Sequence, residues 1–319
     1  MKRELTAPTY ALHGLRVRSE VPLCAPVDRN EPPDIEVRWG ARLEIPARPP
    51  VGRVLAQLSL GDGRGYTHTQ TTDGYTLRFD ATCEFRISRD CRSIRVHVAS
   101  DVSPDVVPLL LSGNVLAFLL TIAGECVLHS SAVAWGDRAL AVVGGPGMGK
   151  STLAALLCAD GAALLSDDLL RVDVDDLRCF PGTDEVRLRQ GATSLAKRFP
   201  ARVSTLTADR RVAIRLDGGS SERPRLSAIV IPRPSRTCAA LRLEHLSPTR
   251  ALFALLRYPR VLGWRATEVI GAQFRALARV AGAVPVCEAE LPWGPPFDPQ
   301  LPAALLDATG LERIVETSA

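Results

Sequence analysis

Apolar and polar residues alternate along several stretches of the first hundred residues. The segments Ile35–Trp39, Tyr75–Phe79 and Ile94–Val98 each place an apolar side chain at every second position. A period of two that is broken by glycine-rich turns, such as Gly61–Gly65, is typical of strands with one buried face. The pattern therefore predicts a β-rich domain over residues 1–102, built on a half-exposed antiparallel sheet.

A different pattern begins at Ser103-Pro104, where a capping serine precedes a first-turn proline. The apolar stretch that follows runs to about Ile122, but Pro108 and Ser112–Asn114 interrupt it. The uninterrupted part is too short to span a bilayer. We therefore predict a buried connecting helix over residues 103–125 and no membrane segment.

The remaining residues, 126–319, mix short apolar strands with amphipathic helices, as in α/β domains. The strands predicted here are Val127–Val133, Ala139–Val143, Gly161–Ser166, Val212–Leu216, Ala228–Ile231 and Leu241–Leu243. Helices are predicted after Ser247-Pro248, over Thr267–Val280 with Ile270, Phe274 and Leu277 on one face, and from Pro299.

The strand Ala139–Val143 leads directly into a glycine-rich octapeptide that ends in Gly149-Lys150-Ser151. Glycines let backbone N–H groups curl around an anion, and the start of the following helix adds its positive dipole end. In such a loop the lysine reaches the β- and γ-phosphates and the serine hydroxyl ligates Mg²⁺. The predicted nucleotide-binding residues are Gly144, Gly145, Pro146, Gly147, Met148, Gly149, Lys150, Ser151 and Thr152.

Composition adds two points to this picture. The chain has only three lysines, Lys2, Lys150 and Lys197, so a lysine in the loop suggests that a compact ammonium is needed there. Positive charge is concentrated between Arg187 and Arg236, where eleven arginines and one lysine face three acids, although the whole chain carries only +4. This segment is either a set of solvated loops or the contact for an acidic partner. Aromatic residues are sparse, which disfavours nucleic acid as that partner.

Eight scattered cysteines without C-x-x-C spacing predict neither a zinc site nor a disulfide framework. Reduced cysteines, together with an N-terminus that lacks an apolar signal region, predict a cytoplasmic location.

A loop that binds nucleotide phosphates needs an acid for Mg²⁺ and, in a kinase, a base for the acceptor hydroxyl. The strand Gly161–Ser166 ends in Asp167 and Asp168, whose side chains should point to opposite sides of the chain. One could then face the metal and the other the acceptor. His129 lies in the apolar strand Val127–Val133, where a histidine is more often a core residue than a catalytic one.

Taken together, Leu128-His129-Ser-Ser-Ala-Val133, the octapeptide Gly144–Ser151 and Leu165-Ser-Asp167-Asp168 resemble the HPr kinase/phosphorylase superfamily in content and order. The chain is most similar to the members found with ribosomally made peptides, including the lasso-peptide serine kinases, which also begin with a β-rich region. The resemblance is specific for about residues 126–190. The C-terminal helical signature of the true HPr kinases is missing. The resemblance therefore implies neither action on HPr nor the reverse phosphorolysis.

The resemblance implies an α/β P-loop kinase domain of the HPr-kinase type over residues 126–319, preceded by the β-rich domain. It implies that Lys150 and the loop amides bind phosphates, that Ser151 and one aspartate hold Mg²⁺, and that the other aspartate activates the acceptor. His129 takes the position of the family's histidine beside the reacting phosphate. Glu185-Val-Arg187 resembles a later Glu-x-Arg element, which adds an acid and a phosphate-binding arginine. The implied catalytic residues are Asp167, Asp168, His129 and Lys150, and the implied metal ligands are Ser151, Asp168 and Glu185.

The function predicted from these residues is transfer of the γ-phosphoryl group of ATP, with Mg²⁺, to a hydroxyl. The acceptor predicted is a serine of a peptide or protein, such as the C-terminal serine of a ribosomal precursor peptide. Two alternatives remain open: a nucleotide-binding regulator that transfers no phosphate, and a kinase for a small molecule such as free serine. The resemblance also implies a homo-oligomer.

Overall fold

The computed structural model describes residues 7–24, 32–61, 65–199, 204–216 and 223–311. It confirms a mixed α/β protein with several sheets. The chain divides into two compact units, one made of Met1–Gly124 with Val261–Ala272 and the other of Glu125–Arg260 with Gln273–Ala319. The first unit thus includes the predicted connecting helix together with the predicted β-rich region.

The first unit is built on one eight-stranded sheet in the order β1-β2-β3-β8-β7-β6-β5-β4. Its strands are β1 (Thr9–Leu12), β2 (Leu15–Ser19), β3 (Ile35–Trp39), β4 (Arg53–Ser59), β5 (Gly65–Gln70), β6 (Gly74–Phe79), β7 (Cys83–Ser88) and β8 (Ser93–Val98). The three strands predicted from the alternating pattern are present as β3, β6 and β8. The expectation of an antiparallel sheet is wrong at β3, which pairs in parallel with both β2 and β8. Residues 62–64 of the predicted glycine-rich turn lie outside the described residues.

The connecting helix differs from its prediction at its start and in its middle. It begins at Val106 rather than after Ser103, whose hydroxyl instead accepts from the Asp105 N–H in a preceding turn. The first α-helical part, α1 (Val106–Leu110), continues through a π-helical turn, Leu111–Val115, into α2 (Leu116–Ile122). π-Helical turns inside α-helices are rare. Here the turn carries Asn114, a buried polar residue.

A buried histidine joins this turn to the sheet. His68 of β5 is fully buried, and its Nε2 lies 2.9 Å from Asn114 Oδ1. Its ring stacks on Tyr66 at 4.5 Å and meets Phe118 edge-on at 5.3 Å. Because burial penalises the charged imidazolium, the pKa of His68 falls to about 4.

This shift predicts a specific pH dependence of stability. Between pH 6.5 and pH 4 the unfolded chain binds a proton at residue 68 that the folded protein excludes, so the free energy of unfolding falls as the pH is lowered. From pH 7 to pH 5 the loss due to His68 should be about 2 kcal/mol. Urea unfolding of the wild type and of His68→Gln at both pH values measures it. Equal changes in the two proteins would show that His68 is not the titrating group.

The second unit contains a six-stranded sheet in the order β12-β10-β11-β18-β20-β19 and two three-stranded sheets, β14-β13-β9 and β15-β17-β16. The strands are β9 (Cys126–Leu128), β10 (Ser130–Trp135), β11 (Arg138–Val143), β12 (Ala163–Ser166), β13 (Leu170–Val172), β14 (Cys179–Phe180), β15 (Glu185–Leu188), β16 (Ser204–Leu206), β17 (Val212–Arg215), β18 (Arg225–Ser235), β19 (Arg242–His245) and β20 (Val286–Pro292). The helices that follow the connecting helix are α3 (Lys150–Ala159), a 3₁₀-helix (Gln190–Arg198), α4 (Pro248–Leu256), α5 (Thr267–Ala283) and α6 (Leu301–Thr309).

The central strand β11 is buried on both faces. Leu140 and Val142 pack in one core with Leu153 and Leu157 of α3. The alternate residues of β11, such as Ala141, pack in a second core with residues of α4 and α5. A strand covered on both faces reads as a continuous apolar run, as Ala139–Val143 does.

The strand register places three chain segments at one end of this sheet. Val143, the last residue of β11, pairs with Ser130, the first residue of β10. On the other side of β10, Ala132 pairs with Ser166, the last residue of β12. The loop after β11, the residue before β10 and the residues after β12 therefore lie next to one another.

Several boundaries in the C-terminal part differ from those predicted. Strand β18 continues through Pro232 and Pro234, because its pairing with β11 ends at Val230 and the prolines then need no donor on that side. Ser247 caps α4 as predicted, accepting from the Arg250 N–H. On α5 the predicted apolar face is only partly buried, since Ile270 and Phe274 are 46% and 44% exposed.

The last helix starts two residues later than predicted, at Leu301. Within the residues that the structure describes, no helix combines the length and the apolar character needed to cross a membrane.

Candidate functional site

The glycine-rich octapeptide forms an open loop between β11 and α3. Gly147 and Gly149 have positive φ angles of 87° and 86°, which side chains with a Cβ rarely adopt. Gly149 is the N-cap of α3, so the loop ends at the positive pole of that helix. Pro146 and Gly147 at the tip are exposed. The backbone thus offers N–H groups at a helix start to an incoming anion.

Lys150 is the first residue of α3 and turns back over the loop. Its ammonium donates to the Gly145 carbonyl at 3.2 Å, and the side chain is largely buried. Burial lowers the pKa of Lys150 to about 8, although Asp168 and Asp167 act in the opposite direction. A phosphate bound next to this buried ammonium would stabilise its charged form.

Asp167 lies directly against the start of α3. Its Oδ1 accepts from the hydroxyl of Ser151 at 2.8 Å and from the hydroxyl of Ser131 at 2.5 Å. Its Oδ2 accepts from the backbone N–H of Arg187 at 3.1 Å. The carboxylate is therefore held at both oxygens, next to the serine predicted to ligate a metal.

Asp168 points to a different set of partners. Its Oδ2 lies 2.7 Å from the Arg260 guanidinium and 3.3 Å from that of Arg187, and its Oδ1 lies 3.4 Å from His129 Nε2. Burial alone would raise the pKa of this carboxyl, but Arg260, His129 and Arg187 together hold it well below its usual range. Asp168 is thus an ionised carboxylate, and its positive φ of 75° turns it away from Asp167. The expected divergence of the two adjacent side chains is present.

His129 occupies the break between β9 and β10 rather than the interior of one strand. Burial lowers the pKa of its imidazole, while the contact with Asp168 works against that shift. Its Nε2 lies 3.4 Å from Asp168 Oδ1, so the ring has a carboxylate partner.

The remaining predicted residues take two positions. Arg187 and Glu185 lie on the same side of β15. Burial acts to lower the pKa of the Arg187 guanidinium, but nearby carboxylates, Asp168 foremost and Glu185 among them, raise it above its usual value overall. Thr152 is buried in the first turn of α3. The structure places Ser151 with Asp167, whereas the metal ligands predicted beside Ser151 were Asp168 and Glu185.

Several neighbours of the loop carry no motif and were missed by sequence reasoning. Arg260 is 92 residues from Asp168 along the chain. Ser131 stands in an apolar strand. Arg189 approaches Gly147, with its Nη1 3.8 Å from where a Cβ on that glycine would lie. A ring carbon of Tyr258 lies 3.6 Å from where a Cβ on Gly145 would lie. These residues come together at the candidate site only through the fold.

The donor set at Ser151 and Asp167 fits a magnesium ion. Mg²⁺ prefers hard oxygen ligands and is commonly held by one or two carboxylates together with substrate phosphates. The hydroxyl of Ser151 and the carboxylate of Asp167 are such ligands, and they lie beside the glycine-rich loop. Among the described residues there is no group of three or more His, Cys, Asp or Glu side chains placed to hold a metal.

Replacing Gly149 with alanine should disable the loop. A Cβ there would lie 2.5 Å from the Trp293 ring, in addition to the strain of the positive φ. Gly161, just beyond the other end of α3, has a φ of 104° but open space around it. We expect Gly161→Ala to cost about 1–2 kcal/mol of stability from backbone strain. Gly149→Ala should cost more and, if the loop binds nucleotide as the sequence predicts, should weaken that binding.

Thermal unfolding and ADP titration of both variants test this expectation. Equal stability and equal ADP affinity for the two would show that the contact with Trp293 does not shape the loop.

Comparisons with known proteins find similarity among solved structures only. No protein-family model matches the chain, and no curated protein matches it. Among solved structures, that of the HPr(Ser) kinase/phosphatase from Coxiella burnetii is similar at 12% sequence identity, covering 58% of this chain and 92% of that one, with a TM-score of 0.27. At that TM-score the likeness carries no weight for function.

Proposed function

We propose that this protein is a kinase that transfers the γ-phosphoryl group of ATP to a hydroxyl, with a serine of a peptide or protein as the acceptor. One observation carries the proposal. A single end of the sheet holds a glycine-rich loop at a helix start with its lysine, a hydroxyl–carboxylate pair, and a second carboxylate beside a histidine. Phosphoryl transfer needs mainly positioning and electrostatic stabilisation, which these groups can supply.

In this proposal the loop and Lys150 bind the phosphates of ATP. The backbone N–H groups at the start of α3 meet the phosphates, and the ammonium of Lys150 exchanges the Gly145 carbonyl for phosphate oxygens. Because that ammonium is buried, its attraction to a phosphate is less screened than at the surface.

Ser151 and Asp167 would hold the magnesium ion. When bound there, Mg²⁺ neutralises charge that develops on the phosphate oxygens. The two hydrogen bonds from Ser131 and from the Arg187 N–H keep the Asp167 carboxylate turned toward Ser151.

Asp168 would receive the acceptor hydroxyl. The hydroxyl oxygen forms a new bond to the γ-phosphorus as the bond from that phosphorus to the ADP oxygen breaks, and the hydroxyl proton passes to Asp168. A carboxylate whose pKa is held low is a weak base. It is nevertheless adequate in a loose transition state, where orienting the hydroxyl matters more than removing its proton early.

Arg187 and Arg260 are placed to contact both Asp168 and the phosphoryl group that is transferred. Both guanidinium groups contact Asp168, and the Nε of Arg260 is buried without a hydrogen-bond partner among the described residues. A phosphoryl group arriving beside Asp168 would meet donors already in place. Sharing these arginines with the phosphate would also weaken their hold on Asp168 and make it a better proton acceptor.

The acceptor is the part of the proposal that depends on the family resemblance. Much of the charge between Arg187 and Arg236 is neutralised by ion pairs, as in Arg215–Asp184 and Arg223–Asp173. Exposed positive charge remains near the loop at Arg189 and along the 3₁₀-helix at Lys197 and Arg198. This supports an acidic peptide or protein as the partner.

Transfer from γ-labelled ATP tests the proposal. The purified protein is incubated with Mg²⁺ and, separately, an acidic serine-containing peptide, free serine, and a cell extract of the source organism. Label in the peptide or in protein, absent with Lys150→Ala, would support the peptide or protein kinase. Label in free serine would identify a small-molecule kinase. Release of free phosphate alone would favour the nucleotide-binding regulator.

A further inference from the structure

Ser131 is a fully buried residue on β10 whose hydroxyl is committed to one partner. It donates to Asp167 Oδ1 at 2.5 Å, across 36 residues of sequence. Ser131 pairs with Val142 of β11 in the sheet, so its position is set by strand register and not by a loop. A hydroxyl fixed on a central strand gives Asp167 a rigid anchor.

The same oxygen of Asp167 also accepts from Ser151, so it receives two hydroxyl hydrogen bonds, one for each lone pair. Ser151 can ligate a metal ion through its oxygen whether or not its proton stays on Asp167. In either case Ser131 still donates to Oδ1, while the Arg187 N–H still holds Oδ2. These two contacts keep the carboxylate from rotating once Ser151 has been recruited.

We propose that Ser131 is a positioning residue that orients Asp167 for binding Mg²⁺ with nucleotide. This inference rests on the proposed function, because it assigns a role at the same site. Partners that orient metal-ligating carboxylates typically contribute 10- to 100-fold to metal affinity. In this role Ser131 acts through its hydrogen bond to Asp167.

The neighbouring residue supplies a matched control. Ser130 is also fully buried on β10, and its hydroxyl has no hydrogen-bond partner within the described part of the chain. Adjacent residues on a strand point to opposite faces, so Ser130 faces away from Asp167. Ser130→Ala and Ser131→Ala remove the same atom at the same depth, but only the second removes a donor to Asp167.

The test measures Mn²⁺ binding in the presence of ADP by electron paramagnetic resonance, so it does not depend on catalysis. We expect Ser131→Ala to raise the Mn²⁺ dissociation constant about 10- to 100-fold. Ser130→Ala should leave it unchanged, and ADP affinity without metal should be the same in all three proteins. Ser131→Cys keeps a side chain of similar size, but its thiol is only a weak hydrogen-bond donor. We expect it to show the same rise in the Mn²⁺ dissociation constant, so it provides the test if Ser131→Ala does not fold.

Two results would overturn the proposal in distinguishable ways. If the wild type binds Mn²⁺·ADP and Ser131→Ala and Ser131→Cys bind it equally well, Ser131 does not position Asp167. If the wild type binds ADP without any contribution from Mn²⁺ and transfers no phosphate, the proposed function itself fails, and with it the role of Ser131.

Discussion

Replacing Asp168 with asparagine is expected to lower the rate of phosphoryl transfer by about 100- to 10,000-fold while leaving nucleotide binding intact. The asparagine amide could still accept a hydrogen bond from the acceptor hydroxyl, but it could not take the proton. The ion-pair partners of Asp168 among the described residues are Arg187, Arg260 and His129, whereas Ser151 is bonded to Asp167. Removing its negative charge from between two arginines should make ADP binding equal to or tighter than in the wild type.

Single-turnover transfer and ADP titration of Asp168→Asn measure the two effects separately. Normal transfer by this variant would show that Asp168 is not the proton acceptor. Loss of ADP binding would place it in the nucleotide site instead.

Replacing Lys150 with alanine should weaken nucleotide binding by about 10- to 100-fold and abolish transfer. A buried hydrogen bond to a charged group contributes about 1.5–3 kcal/mol, which corresponds to this range. The loss should be specific to the triphosphate tail, because the buried ammonium of Lys150 lies over the loop at the Gly145 carbonyl.

Lys197 offers the matched control, since it is one of the other two lysines and lies exposed on the 3₁₀-helix. Isothermal titration with ATP and with adenosine compares Lys150→Ala with Lys197→Ala. Binding of adenosine should be the same in both variants. Unchanged ATP affinity in Lys150→Ala would refute the phosphate-binding role of the loop.

The parts of the site that could be predicted from sequence are those whose chemistry is local. The strand, loop and helix around Gly149 are encoded by consecutive residues, because glycine at positive φ and an apolar run each have a short-range physical cause. The pair Asp167-Asp168 at a strand end could be found in the same way, as could the opposite directions of the two side chains.

The rest depends on contacts between distant segments. Ser131 reaches Asp167 because β10 lies between β11 and β12 in the sheet, an order that no local pattern reveals. Arg260 reaches Asp168 from a segment without regular structure. Asp168 was predicted beside Ser151, whereas Asp167 lies there in the structure, because alternation predicts two sides but not which side faces the helix.

The same limit applies to the first unit. Alternation identified β3, β6 and β8, but it reports burial of one face and not strand direction. The parallel pairing of β3 with both of its neighbours was therefore beyond the pattern. The π-helical turn at Leu111–Val115 was also not predicted, because the interruption at Ser112–Asn114 marks a break in the apolar pattern without specifying its geometry.

The division of roles between the two aspartates can be tested by one paired measurement. ADP affinity is determined with and without Mg²⁺ for the wild type, Asp167→Asn and Asp168→Asn. We predict that Asp167→Asn loses the gain in affinity that Mg²⁺ provides, and that Asp168→Asn retains it. The reverse pattern, or a gain that survives in both variants, would contradict the assignment of Asp167 to the metal and Asp168 to the acceptor hydroxyl.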